Sequence, residues 1–152
     1  VRYPSRILSM IKNKFIFLIR AYNEATRIVS VIEAIFAAGY EQILVIDDGS
    51  SDDTETLLAR AFGDRIYFVR HVVNRGAGAA LETGFEYIRR MSYKNPWEYL
   101  VTFDADGQMD IRDMDKFISA LEKDPDLDLV IGSRFITKTD TNVPFFRRLI
   151  LW

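Results

Sequence analysis

Cysteine is absent from this sequence, and histidine occurs only once, at His71. The first absence excludes disulfides, thiolate metal sites and a cysteine nucleophile, and it weakly favours a cytosolic location. A single histidine also excludes a metal centre built from several imidazoles. Because His71 lies in the apolar run 66–73, we expect a strand residue with a satisfied side chain rather than a catalytic base.

Long hydrophobic runs are missing as well. No stretch approaches the ~18 apolar residues of a membrane span, and the N-terminus lacks the apolar core of a signal peptide. With 49% hydrophobic residues, the chain can still bury one substantial core, which predicts a single domain over residues 1–152. Because the sequence starts at Val1 and stops at Trp152 without a polar tail, we expect part of a longer chain, incomplete at its C-terminus.

The net charge of −2 conceals basic ends around an acidic centre. The basic residues of the two ends are Arg2, Arg6, Lys12, Lys14 and Arg20, then Arg134, Lys138, Arg147 and Arg148. Such ends could face an anionic membrane surface while the centre binds a metal, although a charge run is more often a solvated face. We expect no nucleic-acid partner, and the composition leaves the oligomeric state open.

Five short apolar runs predict five β-strands. They lie at residues 15–19, 43–46, 66–73, 99–103 and 127–131. Between them, apolar residues recur at the spacing of amphipathic helices, and the alternation of the two patterns predicts an α/β fold. Strands this apolar indicate a Rossmann-like, mostly parallel sheet with helices on both faces.

Four helices are predicted between and after these strands. The first carries Ile28 to Phe36 and ends at Gly39, and the second is capped by residues 51–54. The third spans residues 77–91, with Leu81, Phe85 and Ile88 on its buried face. The fourth runs from about residue 112 to residue 123 and ends before Pro125.

A polar or glycine-rich segment follows every predicted strand. The five segments are residues 21–24, 47–50, 74–78, 104–108 and 132–134. In open parallel α/β sheets, ligands bind beyond the carboxyl ends of the strands. The sequence therefore gathers acids, glycines and an arginine at one edge of the sheet.

Asp104, Asp106 and Gln108 are the strongest candidates for a metal site. If the strand geometry continues, alternation aims the two carboxylates to the same side. Two carboxylates and a carboxamide oxygen suit Mg²⁺ or Mn²⁺, with the remaining ligands taken from phosphate. The alternative is a loop after a strand in which acidic residues only solvate a turn.

The other segments are ambiguous when taken singly. Asp47 and Asp48 suit a helix-capping turn, and a receiver-type phosphorylation domain also places acids at strand ends. Gly76 and Gly78 are similar to the start of a dinucleotide-binding fingerprint, but its third glycine position is Leu81. These glycines would also let backbone N–H groups approach a phosphate or sugar, or let a helix pack closely on the sheet.

Together, in this order and spacing, the segments resemble the inverting family 2 glycosyltransferases, which have the GT-A fold. The resemblance covers residues 13–148 and rests on residues 18–24, 45–54, 74–85, 101–108 and 131–134. Within that family, the chain most resembles the polyprenyl-phosphate sugar transferases, the group that includes dolichyl-phosphate mannose synthase. This similarity rests on the sequences of residues 104–108, of the run after Asn74 and of Gly132-Ser-Arg134.

The resemblance implies a role for individual residues. Tyr22, Glu24 and Asp48 would contact base and ribose. Asp104, Asp106 and Gln108 would hold Mg²⁺ or Mn²⁺ and through it the diphosphate. Arg134 and Arg148 would bind phosphate near the reacting centre, with Arg147 as an alternative to Arg148. The implied nucleotide-sugar set is Arg20, Ala21, Tyr22, Glu24, Ile46, Asp48, Gly76, Asp104, Ala105, Asp106, Arg134 and Arg148, and the implied catalytic residues are Asp104, Asp106 and Arg134.

This chain departs from the family pattern at three positions. Arg20 stands where the first signature usually has proline, which affects the local turn. Met109 and Ile111 stand where relatives often have histidine and proline, which affects the shape of the metal loop.

The implied activity is metal-dependent transfer of a sugar, with inversion, from a GDP- or UDP-linked donor to a polyprenyl phosphate at the cytoplasmic face of a membrane. A lipid monophosphate needs little help from a general base, whereas a sugar hydroxyl needs one. Three alternatives stay open at this point. They are a soluble glycan or polysaccharide acceptor, a nucleotidyltransferase, and a nucleotide-binding domain without turnover.

Overall fold

The computed structural model of this chain describes residues 10–124 and 126–132, and it shows a four-stranded, entirely parallel sheet. The strands are β1 (Phe15–Ala21), β2 (Gln42–Asp47), β3 (Tyr67–Arg70) and β4 (Tyr99–Asp104). Their order across the sheet is β3-β2-β1-β4. The chain divides into two compact units, residues 1–112 and 113–152, and the sheet belongs to the first.

Three helices of the first unit connect the strands. They are α1 (Ile28–Ala37), α2 (Thr54–Phe62) and α3 (Ala77–Met91), with short 3₁₀ turns at Gly63–Arg65, Ser92–Lys94 and Ile111–Asp113. The second unit contains α4 (Met114–Lys123). Within the described ranges, no helix has the length and apolar character needed to cross a bilayer.

The strand order dictates where the helices lie. Connections between parallel strands are almost always right-handed. The steps from β1 to β2 to β3 move in one direction across the sheet, which places α1 and α2 on one face. The step from β3 to β4 returns past β1 and β2, so α3 lies on the opposite face. The predicted α/β fold with a parallel sheet between helices is confirmed.

Each face of the sheet has its own core. On the α3 side, the fully buried residues Ile16, Leu18, Leu44, Ile46 and Ala80 form one cluster. On the other side, the Phe17 ring lies against Tyr40 and Phe103, with centroid distances of 5.0 and 5.9 Å. Because β1 is buried on both faces, its sequence is apolar without alternation up to Ile19.

Helix α3 approaches β1 so closely that one position has room only for glycine. A Cβ atom at Gly84 would lie 2.3 Å from Cδ1 of the fully buried Leu18. The buried stripe of α3 therefore runs through Ala80 and Gly84, with Leu81 and Ile88 partly buried. The predicted burial of Phe85 is wrong, since this side chain is 45% exposed.

Two further predictions about elements need correction. Residues 127–131 are not a strand, and Leu129 and Ile131 are 71% and 75% exposed. A strand requires backbone hydrogen-bond partners, and in the described part of the chain this segment pairs with no other. The fourth helix begins at Met114, after a 3₁₀ turn rather than at residue 112. Its predicted terminator, Pro125, lies outside the described residues.

We expect Gly84→Ala to destabilise the fold, because its methyl group would overlap the fully buried Leu18 side chain. Overpacking of this kind costs about 1–3 kcal/mol, which exceeds the ~1 kcal/mol that alanine gains over glycine in a helix. Urea unfolding measures the difference in the free energy of unfolding.

Gly78→Ala is the matched control in the same helix, because a Cβ at Gly78 meets nothing within 4 Å. This variant should be neutral or slightly stabilising. If Gly84→Ala is as stable as Gly78→Ala, the close approach of α3 and β1 does not require glycine at position 84.

Candidate functional site

The ends of β1, β2 and β4 and the start of α3 border a cleft of about 290 Å³. The cleft lies between β1 and β4, at the point where the strand order reverses. Ligands of doubly wound sheets usually bind at this point. The lining residues are Arg20, Ala21, Tyr22, Glu24, Asp48, Asn74, Gly76, Ala77, Ala80, Asp104, Ala105 and Asp106.

Most of the residues selected from the sequence therefore lie together. Ile46 does not line the cleft, because its side chain is fully buried in the core cluster beneath α3. Gln108 is exposed and does not line the cleft. Arg134, Arg147 and Arg148 lie outside the described residues.

Three of the lining residues, Asn74, Ala77 and Ala80, have no role implied by the sequence motifs. Asn74 precedes the Gly76 turn, and its Oδ1 atom accepts a hydrogen bond from Gly76 N at 3.0 Å. Ala77 and Ala80 belong to the first turns of α3, where small side chains leave the cleft open. The only signal for them was the run of small residues after Asn74.

Asp48 connects the loop after β2 to the loop after β3. Its carboxylate accepts hydrogen bonds from Arg75 N at 2.9 Å and from Gly76 N at 2.7 Å. The Nδ1 atom of His71 lies 2.7 Å from the same carboxylate. Although burial disfavours the ionised form, these donors outweigh it and hold the pKa of Asp48 below its ordinary value.

His71 is hydrogen-bonded through both of its ring nitrogens. Nδ1 faces Asp48, and Nε2 lies 2.9 Å from the hydroxyl of Thr83 on α3. The ring is 7% exposed. The predicted satisfied side chain is confirmed, but His71 is the first residue after β3 rather than a strand residue, since the strand ends at Arg70.

The loops after β1 and β2 are joined by side-chain hydrogen bonds to backbone groups. Asn23 adopts a left-handed conformation with φ of 56°. Its Oδ1 atom accepts hydrogen bonds from Ser51 N at 2.8 Å and Asp52 N at 3.3 Å, and its own N–H donates to the Ser50 hydroxyl. Asparagine tolerates this conformation better than most residues. These residues therefore join the two loops, whereas Asp53, at the N-cap of α2, makes no capping hydrogen bond through its side chain.

Asp47 has a different environment from its neighbour Asp48. It is fully buried and accepts a hydrogen bond from Ser50 N at 3.0 Å. Its second oxygen lies 3.3 Å from Arg70 Nε, without the alignment of a hydrogen bond. Arg70 also donates to the Ser50 carbonyl at 2.9 Å. We conclude that Asp47 fixes the turn after β2 and does not face the cleft.

Arg20 and Asp104 are paired across neighbouring strands at the centre of the cleft. They occupy the same register position of β1 and β4, so their side chains leave the same face of the sheet. Arg20 Nε donates to Asp104 Oδ1 at 2.7 Å, and this hydrogen bond raises the pKa of Arg20 above its ordinary value. Asp106 adds a further electrostatic attraction.

The acidic loop after β4 fits a metal that is bound together with a substrate. Asp104 and Asp106 both line the cleft. Asp106 Oδ1 accepts a hydrogen bond from Gln108 N at 2.9 Å, which closes the turn at Gly107 with its φ of 73°. Among the described residues, no group of three acidic or histidine side chains could hold a metal alone. A pair of carboxylates completed by phosphate oxygens is a common arrangement for Mg²⁺.

The described basic residues near the N-terminus are engaged within the fold. Lys12 Nζ donates to the Ala38 carbonyl and lies 5.1 Å from the centre of the Tyr40 ring. Lys14 pairs with Glu98 at 2.7 Å. These contacts reduce the N-terminal charge that is available for a membrane surface, while Arg2 and Arg6 lie outside the described residues.

Residues 16–150 match the family model described as Glycosyl transferase family 2. The chain is thus a member of glycosyl transferase family 2, the family that its strand-end segments resemble.

The curated relatives include sugar transferases named for lipid phosphates. The chain is 32% identical over 146 residues to an uncharacterized protein of Methanocaldococcus jannaschii, with 95% of this chain and 57% of the relative covered. It is 35% identical over 139 residues to the polyprenol monophosphomannose synthase of Mycolicibacterium smegmatis, with 88% and 50% covered. It is 29% identical over 153 residues to the UDP-N-acetylglucosamine–dolichyl-phosphate N-acetylglucosaminyltransferase of Methanococcus voltae, with 90% and 59% covered. The chain thus spans about half the length of these relatives.

Among solved structures, the chain is similar to glucosyl-3-phosphoglycerate synthase from Mycobacterium tuberculosis in complex with Mn²⁺ and UDP-glucose. The TM-score is 0.48 and the identity 24%, with 70% of this chain and 38% of that chain covered.

We expect Asp48→Asn to destabilise the protein by about 2–3 kcal/mol at neutral pH, because the amide removes the negative charge toward which the N–H groups of Arg75, Gly76 and His71 point. The folded pKa of Asp48 is depressed, so its stabilisation is present above the unfolded pKa of about 3.9 and is lost as the pH falls through the lower folded pKa. The variant should therefore lose part of the acid dependence of the free energy of unfolding.

The matching control is Asp53→Asn, because Asp53 makes no capping hydrogen bond through its side chain. It should change stability by less than ~0.5 kcal/mol. Hydrogen exchange at Arg75 and Gly76 gives the second readout, and unchanged protection of both amides in Asp48→Asn would contradict the prediction.

Proposed function

We propose that this chain forms the donor-binding part of a glycosyltransferase that moves a sugar, with inversion, from a GDP- or UDP-linked donor to a polyprenyl phosphate. The observation that carries this proposal is the cleft itself. Residues selected from four separate segments of the sequence line one cavity, at the point where the strand order reverses. Membership of glycosyl transferase family 2 supports the reaction class.

The proposed donor lies across the cleft from β2 toward β4. Tyr22 is 47% exposed and offers a ring for the base, and Glu24 and Asp48 line the same cleft. The hydrogen bonds from Arg75 and Gly76 to Asp48 hold the Gly76 turn open at the start of α3. Gly76 has a φ of 89°, which lets its backbone approach a ligand without a side chain in the way.

The diphosphate of the donor would then reach Asp104 and Asp106. A divalent cation bound there supplies positive charge that stabilises the departing nucleoside diphosphate. Asp104 and Asp106 hold it from the protein side, with Gln108 as the third ligand proposed from the sequence. Mg²⁺ and Mn²⁺ both suit these oxygen donors. Arg134 and Arg148 remain proposed phosphate contacts.

A phosphate acceptor suits the described cleft better than a hydroxyl acceptor does. In inverting transfer, an acceptor oxygen attacks the anomeric carbon as the bond to the diphosphate oxygen breaks. A hydroxyl must give up its proton to a base, but Asp48 is occupied by three donors and Asp104 is paired with Arg20. A monophosphate with a second pKa near ~6 is already ionised at neutral pH. Two relatives whose names contain polyprenol or dolichyl phosphate support this choice.

The location follows from the proposed acceptor. A lipid phosphate places the cleft at the cytoplasmic face of a membrane, where the nucleotide-sugar donors are available. The described lysines at the N-terminus do not add to this proposal, because they are engaged within the fold.

The donor is identified by the melting temperature in the presence of UDP- and GDP-sugars, with and without Mn²⁺. We expect a rise for one nucleotide, larger with Mn²⁺, because a ligand that binds only the folded state stabilises it. In Asp106→Asn the rise with Mn²⁺ should fall to the value measured without Mn²⁺, since a formal ligand charge is lost.

Asp64→Asn provides a control with the same change of charge, since Asp64 lies in the turn before β3, away from the cleft. It should keep the full response to Mn²⁺. A donor response in Asp106→Asn equal to that of Asp64→Asn would exclude Asp106 as a metal ligand, and no response to any nucleotide in the unaltered protein would contradict donor binding.

The acceptor is tested with the full-length protein and the donor found above. Sugar transfer to a polyprenyl monophosphate, and not to the corresponding polyprenol or to soluble glycans, is the expected result. Transfer to soluble glycans alone would favour the polysaccharide alternative. Binding of donor without transfer to any acceptor would identify a nucleotide-binding domain without turnover.

A further inference from the structure

Arg20 holds a permanent positive charge against the acidic pair of the cleft. Its Nε atom is 2.7 Å from Asp104 Oδ1, and both Asp104 and Asp106 attract the guanidinium. Within residues 10–124 and 126–132, the structure gives Arg20 no other ion pair or side-chain hydrogen bond. The two Nη atoms thus keep four N–H donors for a second anion.

We propose that Arg20 is a positioning residue that keeps the Asp104–Asp106 pair from binding a divalent cation until a diphosphate enters the cleft. This inference rests on the proposed function, since it concerns the donor of that same site. It makes metal binding and nucleotide binding mutually dependent.

Charge decides how tightly the acidic pair binds a metal. Two carboxylates bind a divalent cation chiefly through their negative charge, and a guanidinium hydrogen-bonded to one of them cancels part of that charge. Arginine stays protonated at any physiological pH, so a change of pH does not break the ion pair between Arg20 and Asp104. Only a competing anion can draw the guanidinium away from Asp104.

A diphosphate is the anion that the proposed donor would bring into the cleft. Its oxygens match the planar fork of arginine and can also complete the ligands of a metal on Asp104 and Asp106. Arg20 lines the cleft beside both acids. Arrival of the diphosphate therefore gives Arg20 a new partner and frees Asp104 for the metal in the same event.

A purely structural role for Arg20 makes a different prediction. Arg20 is the sixth residue of a seven-residue strand, and its side chain is 37% exposed. If it only stabilised the end of β1, its removal would lower stability and leave the affinity for metal unchanged or weaker. The affinity for Mn²⁺ in the absence of nucleotide separates the two roles.

The experiment measures Mn²⁺ alone, by the loss of its free electron paramagnetic resonance signal on titration with protein. Arg20→Gln removes the charge, and we expect it to bind Mn²⁺ about tenfold more tightly than the unaltered protein. Arg20→Lys keeps the charge and should stay within about threefold of the unaltered protein. Arg60→Gln, an exposed arginine on α2, controls for net charge.

Addition of a nucleoside diphosphate gives the second readout. In the unaltered protein it should raise the affinity for Mn²⁺ by a larger factor than in Arg20→Gln, because coupling between two ligands is reciprocal. An affinity for Mn²⁺ alone that is equal or lower in Arg20→Gln overturns the inference. Because that measurement contains no nucleotide, it tests the role of Arg20 even if no nucleotide-sugar binds and the proposed function fails.

Discussion

The hydrogen bonds of Asp48 are the constraint on which the arrangement of the strand ends depends. Its N–H donates to the Ala21 carbonyl at the end of β1, and its carboxylate accepts from the loop after β3. One residue thus fixes the ends of three strands relative to each other. The fourth strand is joined to β1 by Arg20 and Asp104. A buried carboxylate is stable in this position because three donors compensate for the loss of water, and the same donors would otherwise be left unsatisfied.

The sheet could be predicted from the sequence because strands that are covered on both faces carry uninterrupted apolar runs. β1 and β2 are of this kind, and the helix between them keeps a 3.6-residue period. The errors have a common cause, since each depends on what a segment packs against. Residues 127–131 are as apolar as a strand but pair with nothing in the described part of the chain. Phe85 has the correct period but is 45% exposed, because the buried stripe of α3 runs through Ala80 and Gly84. Periodicity reports the pattern within a segment and not the distance to its neighbour.

The site was predictable to the extent that parallel strands bring their ends to one edge. That rule placed Tyr22, Asp48, Gly76 and Asp104 together without any knowledge of side-chain contacts. The contacts themselves were not predictable, because they join residues far apart in the chain. Arg20 and Asp104 are separated by 84 positions, and Asp48 and Gly76 by 28. Sequence alone described Asp48 as a ligand contact, whereas the structure adds its role in holding the loop that borders the cleft.

The contact of Gly84 with Leu18 also limits the routes by which this sequence can change. A larger residue at position 84 requires a smaller one at position 18, and each single step is costly, since Leu→Ala in a core loses about 2–5 kcal/mol. Substitutions of two residues in direct contact do not have additive effects on the free energy of unfolding. The double change is therefore expected to cost less than the sum of the two single changes. The two positions should therefore vary jointly among descendants of this chain, and a redesign of the interface between α3 and β1 has to treat them as one unit.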